Sequence, residues 1–187
     1  WCDPSHSEFV FKTYYVLNMN SLTGTEIRGT GDGGAAAAMV APTGYDQLAA
    51  IRERGPSAVG VAGLLDMEID DLTVGHVVFT ATTRPAFGNP LGTLHGGITA
   101  TLLDSAMTCA VMSALPAGVA ATTLDLSVRY LRPAALDGTR IWAVGDLVHR
   151  GRTVATAEGR LVDERDRLIA TATTTCLVVD GNKEGTR

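Results

Sequence analysis

The stretch Asn89–Leu115, NPLGTLHGGITATLLDSAMTCAVMSAL, holds the residues best suited to chemistry. Its apolar positions Leu102, Leu103, Ala106, Met107, Ala110, Val111, Ala114 and Leu115 recur at three- and four-residue spacing, which predicts a helix of about eighteen residues with one buried stripe. Gly96 and Gly97 open that helix, where the first backbone N–H groups lack intrahelical partners and the helix dipole is positive. Glycine leaves no Cβ between those donors and a ligand. Asp104 projects beside Gly97, Ala100 and Val111, at the border of the stripe. One stretch thus offers donors for a developing oxyanion and, about two helical turns on, one carboxylate. The same residues also fit a tight turn followed by a core carboxylate with its hydrogen bonds met.

The rest of the chain must position that stretch. At 187 residues, with 45% in the hydrophobic set and a mean hydropathy of +0.15, it is long and apolar enough for one domain with extensions. The net charge of −5, with no cluster of Lys and Arg among aromatics, gives no footprint for nucleic acid. Cys2, Cys109 and Cys176 show neither a C-x-x-C nor a Cys/His ligand spacing, so neither a disulfide framework nor a metal site is indicated. A reducing cytoplasm is the expected compartment. No apolar run reaches the length of a membrane span, and Phe9–Leu17 is short and interrupted by Lys12.

Taken in order, residues 1–42 read as a flexible extension. Trp1 is not an initiator, and Met19 is a candidate native start. The run Gly29–Gly34 lacks the strand and βαβ pattern of a nucleotide loop. Residues 43–180 form the expected domain, and 181–187 a polar tail. A short helix is predicted over Tyr45–Arg54, docked through Leu48 and Ile51 and ended by Gly55-Pro56. Strands are predicted over Leu64–Asp71 and Val74–Thr83, then the central helix, then Ala120–Leu131, Arg140–Val148, Thr153–Val162 and Leu168–Val179. Two strands, one long helix and four strands imply an α+β domain, an antiparallel sheet curled around a single helix. Its free edges invite pairing between two copies.

The block N-x-L-G-T-L-H-G-G-x-x-x-x-L-x-D across Asn89–Asp104 resembles the hotdog-fold thioesterases of the PaaI type. Thr123–Leu126, Tyr130–Ala134 and Val148–Arg152 are similar to the later blocks of that family, so the likeness runs from about Gly60 to Val179. The resemblance implies hydrolysis of acyl-CoA or related thioesters, without metal or cofactor. It also implies a homodimer, pairing again into a homotetramer, with the site between subunits. In that arrangement the Gly96 N–H polarises the thioester carbonyl, and Asp104 of the other subunit is general base or nucleophile. Asn89 orients water or the carbonyl, and Thr123 lies near that water. His95 and Gly97 belong to the substrate-binding turn, with His95 fixing it through its ring nitrogens. Arg150 and Arg152, with Arg132 ranked after them, would meet the phosphates of CoA.

A thioester already carries a good leaving group, so an oxyanion donor and one base suffice without a Ser-His-Asp triad. The nearest alternative chemistry is a hydratase or dehydratase, which couples a His with a carboxylate in the helix region; here His95 lies at the turn, nine residues before Asp104. A non-catalytic acyl-CoA-binding or regulatory module is the alternative of another class, and it has no need of Asp104. Cys109 faces away from Asp104 and reads as packing. Met67, Phe87, Met107 and Met112 are candidates for an acyl pocket, with aryl and aliphatic acyl groups both open.

Overall fold

The computed structural model describes residues 41–55 and 60–181. The expected extension up to Val40, including the Gly29–Gly34 run, lies outside the described residues, as do Pro56 and residues 182–187.

Helix α1 (Gly44–Arg54) begins with a capping box. The Thr43 hydroxyl accepts from the Asp46 N–H at 3.2 Å, and the Thr43 N–H donates to Asp46 Oδ2 at 2.9 Å. Leu48 is buried and Ile51 packs against the core, as their spacing predicts. Helix α2 (Gly60–Leu64) was not expected. It ends at Leu64, and with the turn that follows at Leu65–Asp66 it takes the place of the first half of the strand read at Leu64–Asp71: strand β1 runs only over Glu68–Thr73 and pairs with β2 (His76–Thr82) from Glu68↔Thr80 onward. Leu65 and Met67 keep the alternating burial of a strand, but their N–H groups turn back onto α2, donating to the carbonyls of Val61 at 3.0 Å and Ala62 at 2.9 Å, and the ladder with β2 starts only at Glu68. Arg84 instead holds this segment by bonding the Leu64 carbonyl and Asp66.

The central helix α3 (Gly96–Ser113) follows a 3₁₀ turn at Pro85–Phe87. Beyond it, β3 (Val119–Tyr130), β4 (Arg140–Arg150), β5 (Val154–Asp163) and β6 (Leu168–Asp180) lie within two residues of their predicted ends. The six strands form one antiparallel sheet in the order β1-β2-β4-β5-β6-β3, so the chain crosses from one edge to the other through α3. The sheet wraps α3, giving the α+β arrangement expected.

Leu103, Ala106, Met107, Ala110 and Val111 are fully buried against the sheet, and Leu102 nearly so. Burying one such leucine stabilises the fold by about 2–3 kcal/mol. The helix lies close to the sheet because Gly145 and Gly159 are register partners beneath it. A Cβ on Gly145 would stand 2.3 Å from the Ala106 carbonyl oxygen, and one on Gly159 would stand 2.9 Å from Met107 Cγ. Met67, Phe87 and Met107 belong to this core. Among the described residues, no helix is long and apolar enough to cross a membrane.

Candidate active site

The start of α3 is built by His95. Its Nδ1 accepts the Gly97 N–H at 2.9 Å, while its carbonyl accepts the N–H groups of Ile98 at 3.0 Å and Thr99 at 3.2 Å. A backbone N–H can only donate, so Nδ1 is unprotonated and the imidazole proton sits on Nε2. His95 therefore fixes the turn through a ring nitrogen. Of the first N–H groups of the helix, only that of Gly96 has no acceptor among the described residues. Half-buried Gly96 faces a cavity of about 350 Å³ that is also lined by Asn89, Thr99, Tyr130, Arg132 and Ile169.

Asn89 shapes the approach to that cavity. Its Oδ1 accepts from the N–H groups of Leu91 at 2.9 Å and Thr93 at 3.2 Å, and its Nδ2 donates to Thr93 Oγ1 at 3.0 Å. Two backbone donors on Oδ1 fix which way the amide points and leave one Nδ2 hydrogen unassigned. Arg132 is exposed at the cavity, and its guanidinium has no partner among the described residues. The backbone there is tied to β6, because the Ile169 carbonyl accepts from both Leu131 at 2.8 Å and Arg132 at 3.1 Å. Tyr130 was not singled out from sequence. Its hydroxyl donates to the Gly96 carbonyl at 3.0 Å, and its ring atoms lie 3.2–3.3 Å from where a Gly96 Cβ would stand.

Asp104 lies in a second cluster. It is half-buried, and Oδ1 accepts from Thr123 Oγ1 at 2.8 Å. Thr123 reaches it through a bulge: the β3–β6 register passes from Thr123↔Cys176 to Asp125↔Thr175, leaving Leu124 unpaired and exposed. Before the bulge Ala121 and Thr123 face α3. After it Leu126 and Val128 do. Thr108, one helical turn beyond Asp104, lies 3.1 Å from Thr123 Oγ1 and 3.8 Å from Cys176 Sγ. The i,i+4 spacing from Asp104 was the available sequence signal for Thr108. Burial, and then the charge of Asp104, push the Cys109 thiol up to about 12, which suits packing and not a thiolate.

The predicted residues thus fall into three groups. Asn89, Gly96 and Arg132 share one cavity, with His95 and Gly97 at the same turn. Asp104 and Thr123 are bonded to each other. Arg150 and Arg152 are exposed at the β4–β5 hairpin tip, where the Gly151 N–H donates to the Val154 carbonyl at 2.8 Å. Arg150 pairs with Ala155, Ala155 with Cys176 and Cys176 with Thr123, so Arg150 stands three strand spacings, about 14 Å, from Thr123. Gly96 and Asp104 are eight residues apart on one helix, or about 12 Å along its axis.

Residues 91–170 match the thioesterase superfamily model. The chain is 37% identical over 131 residues to a putative esterase of Halobacterium salinarum, spanning 66% of this chain and 85% of that protein. It is 38% identical over 76 residues to acyl-coenzyme A thioesterase 13 of Mus musculus, a match over 41% of this chain and about half (53%) of the mouse protein. The PaaI protein of E. coli, from the phenylacetic acid degradation operon, superposes with a TM-score of 0.60 at 24% identity, over 64% of this chain and 84% of that one. With the motif at Asn89–Asp104, the wrapped helix and these likenesses in agreement, the chain belongs to the thioesterase superfamily and has the hotdog fold.

Proposed function

We propose that this protein is an acyl-CoA thioesterase, splitting R–CO–S–CoA with water into a carboxylic acid and the free CoA thiol. The observation that carries the reading is the N–H of Gly96, the one donor of the first helical turn without an acceptor among the described residues, at the positive end of an eighteen-residue helix on a residue that lines a cavity. The carbonyl oxygen of the thioester accepts from that N–H, and the charge it gains during attack is stabilised there.

The base cannot come from the same helix. About 12 Å separates Gly96 from Asp104 along α3, too far for both to meet one acyl carbon. A site shared between subunits resolves this: Gly96 of one copy faces Asp104 of another, as in the arrangement the family resemblance implies. Strand β3 supports such pairing, since it is a twelve-residue sheet edge with Leu124 and Tyr130 exposed along it and exposed Leu131 just beyond its end. Asp104 acts through Oδ2, since Oδ1 is held by Thr123, either taking the proton of an attacking water or attacking the carbonyl itself. The C–S bond then breaks, and the thiolate leaves and is protonated; on the nucleophilic route water then hydrolyses the Asp104–acyl anhydride, releasing the acid and restoring the carboxylate.

Asn89 orients the water or the carbonyl through its unassigned Nδ2 hydrogen. Arg132, Arg150 and Arg152, exposed and unpaired among the described residues, take the phosphates of CoA. The reading includes a homodimer pairing into a homotetramer, working in the cytoplasm without metal or cofactor, and with neither nucleic acid nor membrane as partner.

The test is release of free thiol from phenylacetyl-, benzoyl-, hexanoyl- and palmitoyl-CoA, with Asp104→Asn as control. Release that the substitution abolishes supports the reading, and the best substrate identifies the acyl class. Saturable binding with no release from any substrate replaces it with a non-catalytic acyl-CoA-binding module.

A further inference from the structure

The proposed base and three side chains beside it form a row whose hydrogen bonds have only one consistent direction. An ionised carboxylate can only accept, so the 2.8 Å contact between Thr123 Oγ1 and Asp104 Oδ1 uses the one Thr123 proton. Thr123 then has none for Thr108, and the 3.1 Å contact between the two hydroxyls requires Thr108 to donate. With its own proton so placed, Thr108 presents only lone pairs to Cys176, whose sulfur lies 3.8 Å away. Cys176 is fully buried, and burial raises its thiol pKa, so it stands there as S–H. The fold keeps the row in place: Thr123 and Cys176 are cross-strand partners, and Thr108 sits one helical turn beyond Asp104.

We infer that Thr108 is a positioning residue for the hydrolysis: by donating to Thr123 it directs the Thr123 proton onto Asp104 Oδ1, leaving Oδ2 as the oxygen that meets water or the acyl carbon. This rests on the proposed thioesterase reading. A hydroxyl proton rotates freely about its C–O bond, and an incoming donor on one side of the oxygen biases it toward the other. Among the described residues Asp104 Oδ2 has no hydrogen-bond partner. Among the described residues Thr108 neither lines the cavity nor hydrogen-bonds the carboxylate, so its effect on Asp104 passes through Thr123.

Two measurements on the full chain test this. Neutron diffraction from the deuterium-exchanged protein reads the hydroxyl directions without any turnover. Deuterons running from Thr108 to Thr123 and from Thr123 to Asp104 are expected; a Thr108 deuteron aimed at Cys176, or a Thr123 deuteron aimed at Thr108, overturns the proposal. In kinetics, Thr108→Val lowers kcat by about tenfold with KM within about twofold of wild type, the loss of one directing hydrogen bond, and Thr108→Ser restores it. An unchanged kcat in Thr108→Val, or a fall that Thr108→Ser does not reverse, overturns it as well. Wild-type protein that releases no thiol from any acyl-CoA overturns the thioesterase reading instead, and the deuteron positions then decide the direction of the row on their own.

Discussion

Thr123 of β3 and Asp104 of α3 are nineteen residues apart in sequence, yet their side-chain oxygens meet at 2.8 Å across the helix–sheet interface. That bond joins the edge strand best suited to subunit pairing to the carboxylate proposed to do the chemistry. A shift of β3 against the helix therefore moves the base.

Replacing either partner should separate chemistry from binding. Asp104→Asn is expected to lower kcat by roughly 10²–10⁴-fold, the usual contribution of a positioned base, with KM little changed. Thr123→Val keeps the shape, removes the donor and should lower kcat by about tenfold. Steady-state kinetics on the best acyl-CoA checks both. Near-normal turnover in Asp104→Asn removes this carboxylate from the mechanism.

Gly96→Ala tests the other half of the site. The new methyl would lie 3.2–3.3 Å from Tyr130, tighter than ordinary contact, and must displace the ring or the helix start. Tyr130 is exposed on its outer side, so the ring can yield, and thermal stability should change little. Displacing the ring breaks the hydroxyl bond to the Gly96 carbonyl and shifts the free N–H away from the substrate oxygen. A fall in kcat of about 10²-fold is expected, of the order seen when one oxyanion donor is lost. Tyr130→Phe, which loses only the hydroxyl, should fall by much less. Wild-type kcat in Gly96→Ala would show that the donor lies elsewhere.

The main axis of the fold was legible because α3 advertises itself. Leu102, Leu103, Ala106, Met107, Ala110 and Val111 have helical spacing, and they are the residues buried beneath the sheet. The Leu64–Asp71 run misled for a physical reason: its alternation reports burial, and Leu65 and Met67 are buried without a ladder partner. The bulge at Leu124 and the Gly145–Gly159 pair depend on strand register, which no local pattern encodes. The places of Gly96 at the start of α3 and of Asp104 two turns on were legible through the helix pattern. Tyr130 was not, because its contact with Gly96 spans thirty-four residues and arises only once β3 has crossed to the far edge of the sheet.

The cysteines near Asp104 should be inert. With the Cys109 thiol pushed up to about 12, only about one part in ten thousand is thiolate at pH 8, and the thiolate is the reactive form. Burial raises Cys176 as well. Iodoacetamide at pH 8, followed by peptide mass spectrometry, should leave Cys109 and Cys176 unmodified in the folded protein and label both in guanidinium. Fast labelling of Cys109 in the native state would reopen a thiol nucleophile. The same inertness means that neither residue disturbs a thiol-release assay.

A carboxylate clasp in the hairpin beside the cavity should make stability depend on acid. In the β5–β6 hairpin, Asp163 is nearly buried, with Oδ2 held by Arg167 Nε at 2.7 Å and Oδ1 by the N–H groups of Arg165 and Arg167, each at 3.0 Å. The Arg167 side-chain bond is the main cause that holds its pKa at about 2, against an ordinary 3.8; burial acts the other way, and the backbone donors add to the lowering. A depressed folded pKa contributes stability that is fully present above the unfolded value and lost as pH falls through the folded one. The clasp therefore stabilises the fold above about pH 4 and fades toward pH 2. Asp163→Asn should be less stable than wild type by about 1–2 kcal/mol at pH 7, with the gap closing between pH 4 and pH 2 in urea unfolding. A gap that stays constant through that window would show that the charge of Asp163 does not matter. The consequence reaches the site through Ile169: it follows this hairpin by two residues from Arg167, lines the Gly96 cavity, and holds the backbones of Leu131 and Arg132 on its carbonyl. Loosening the clasp frees the wall of the cavity that carries Arg132, so acyl-CoA affinity should weaken in Asp163→Asn while kcat on saturating substrate holds.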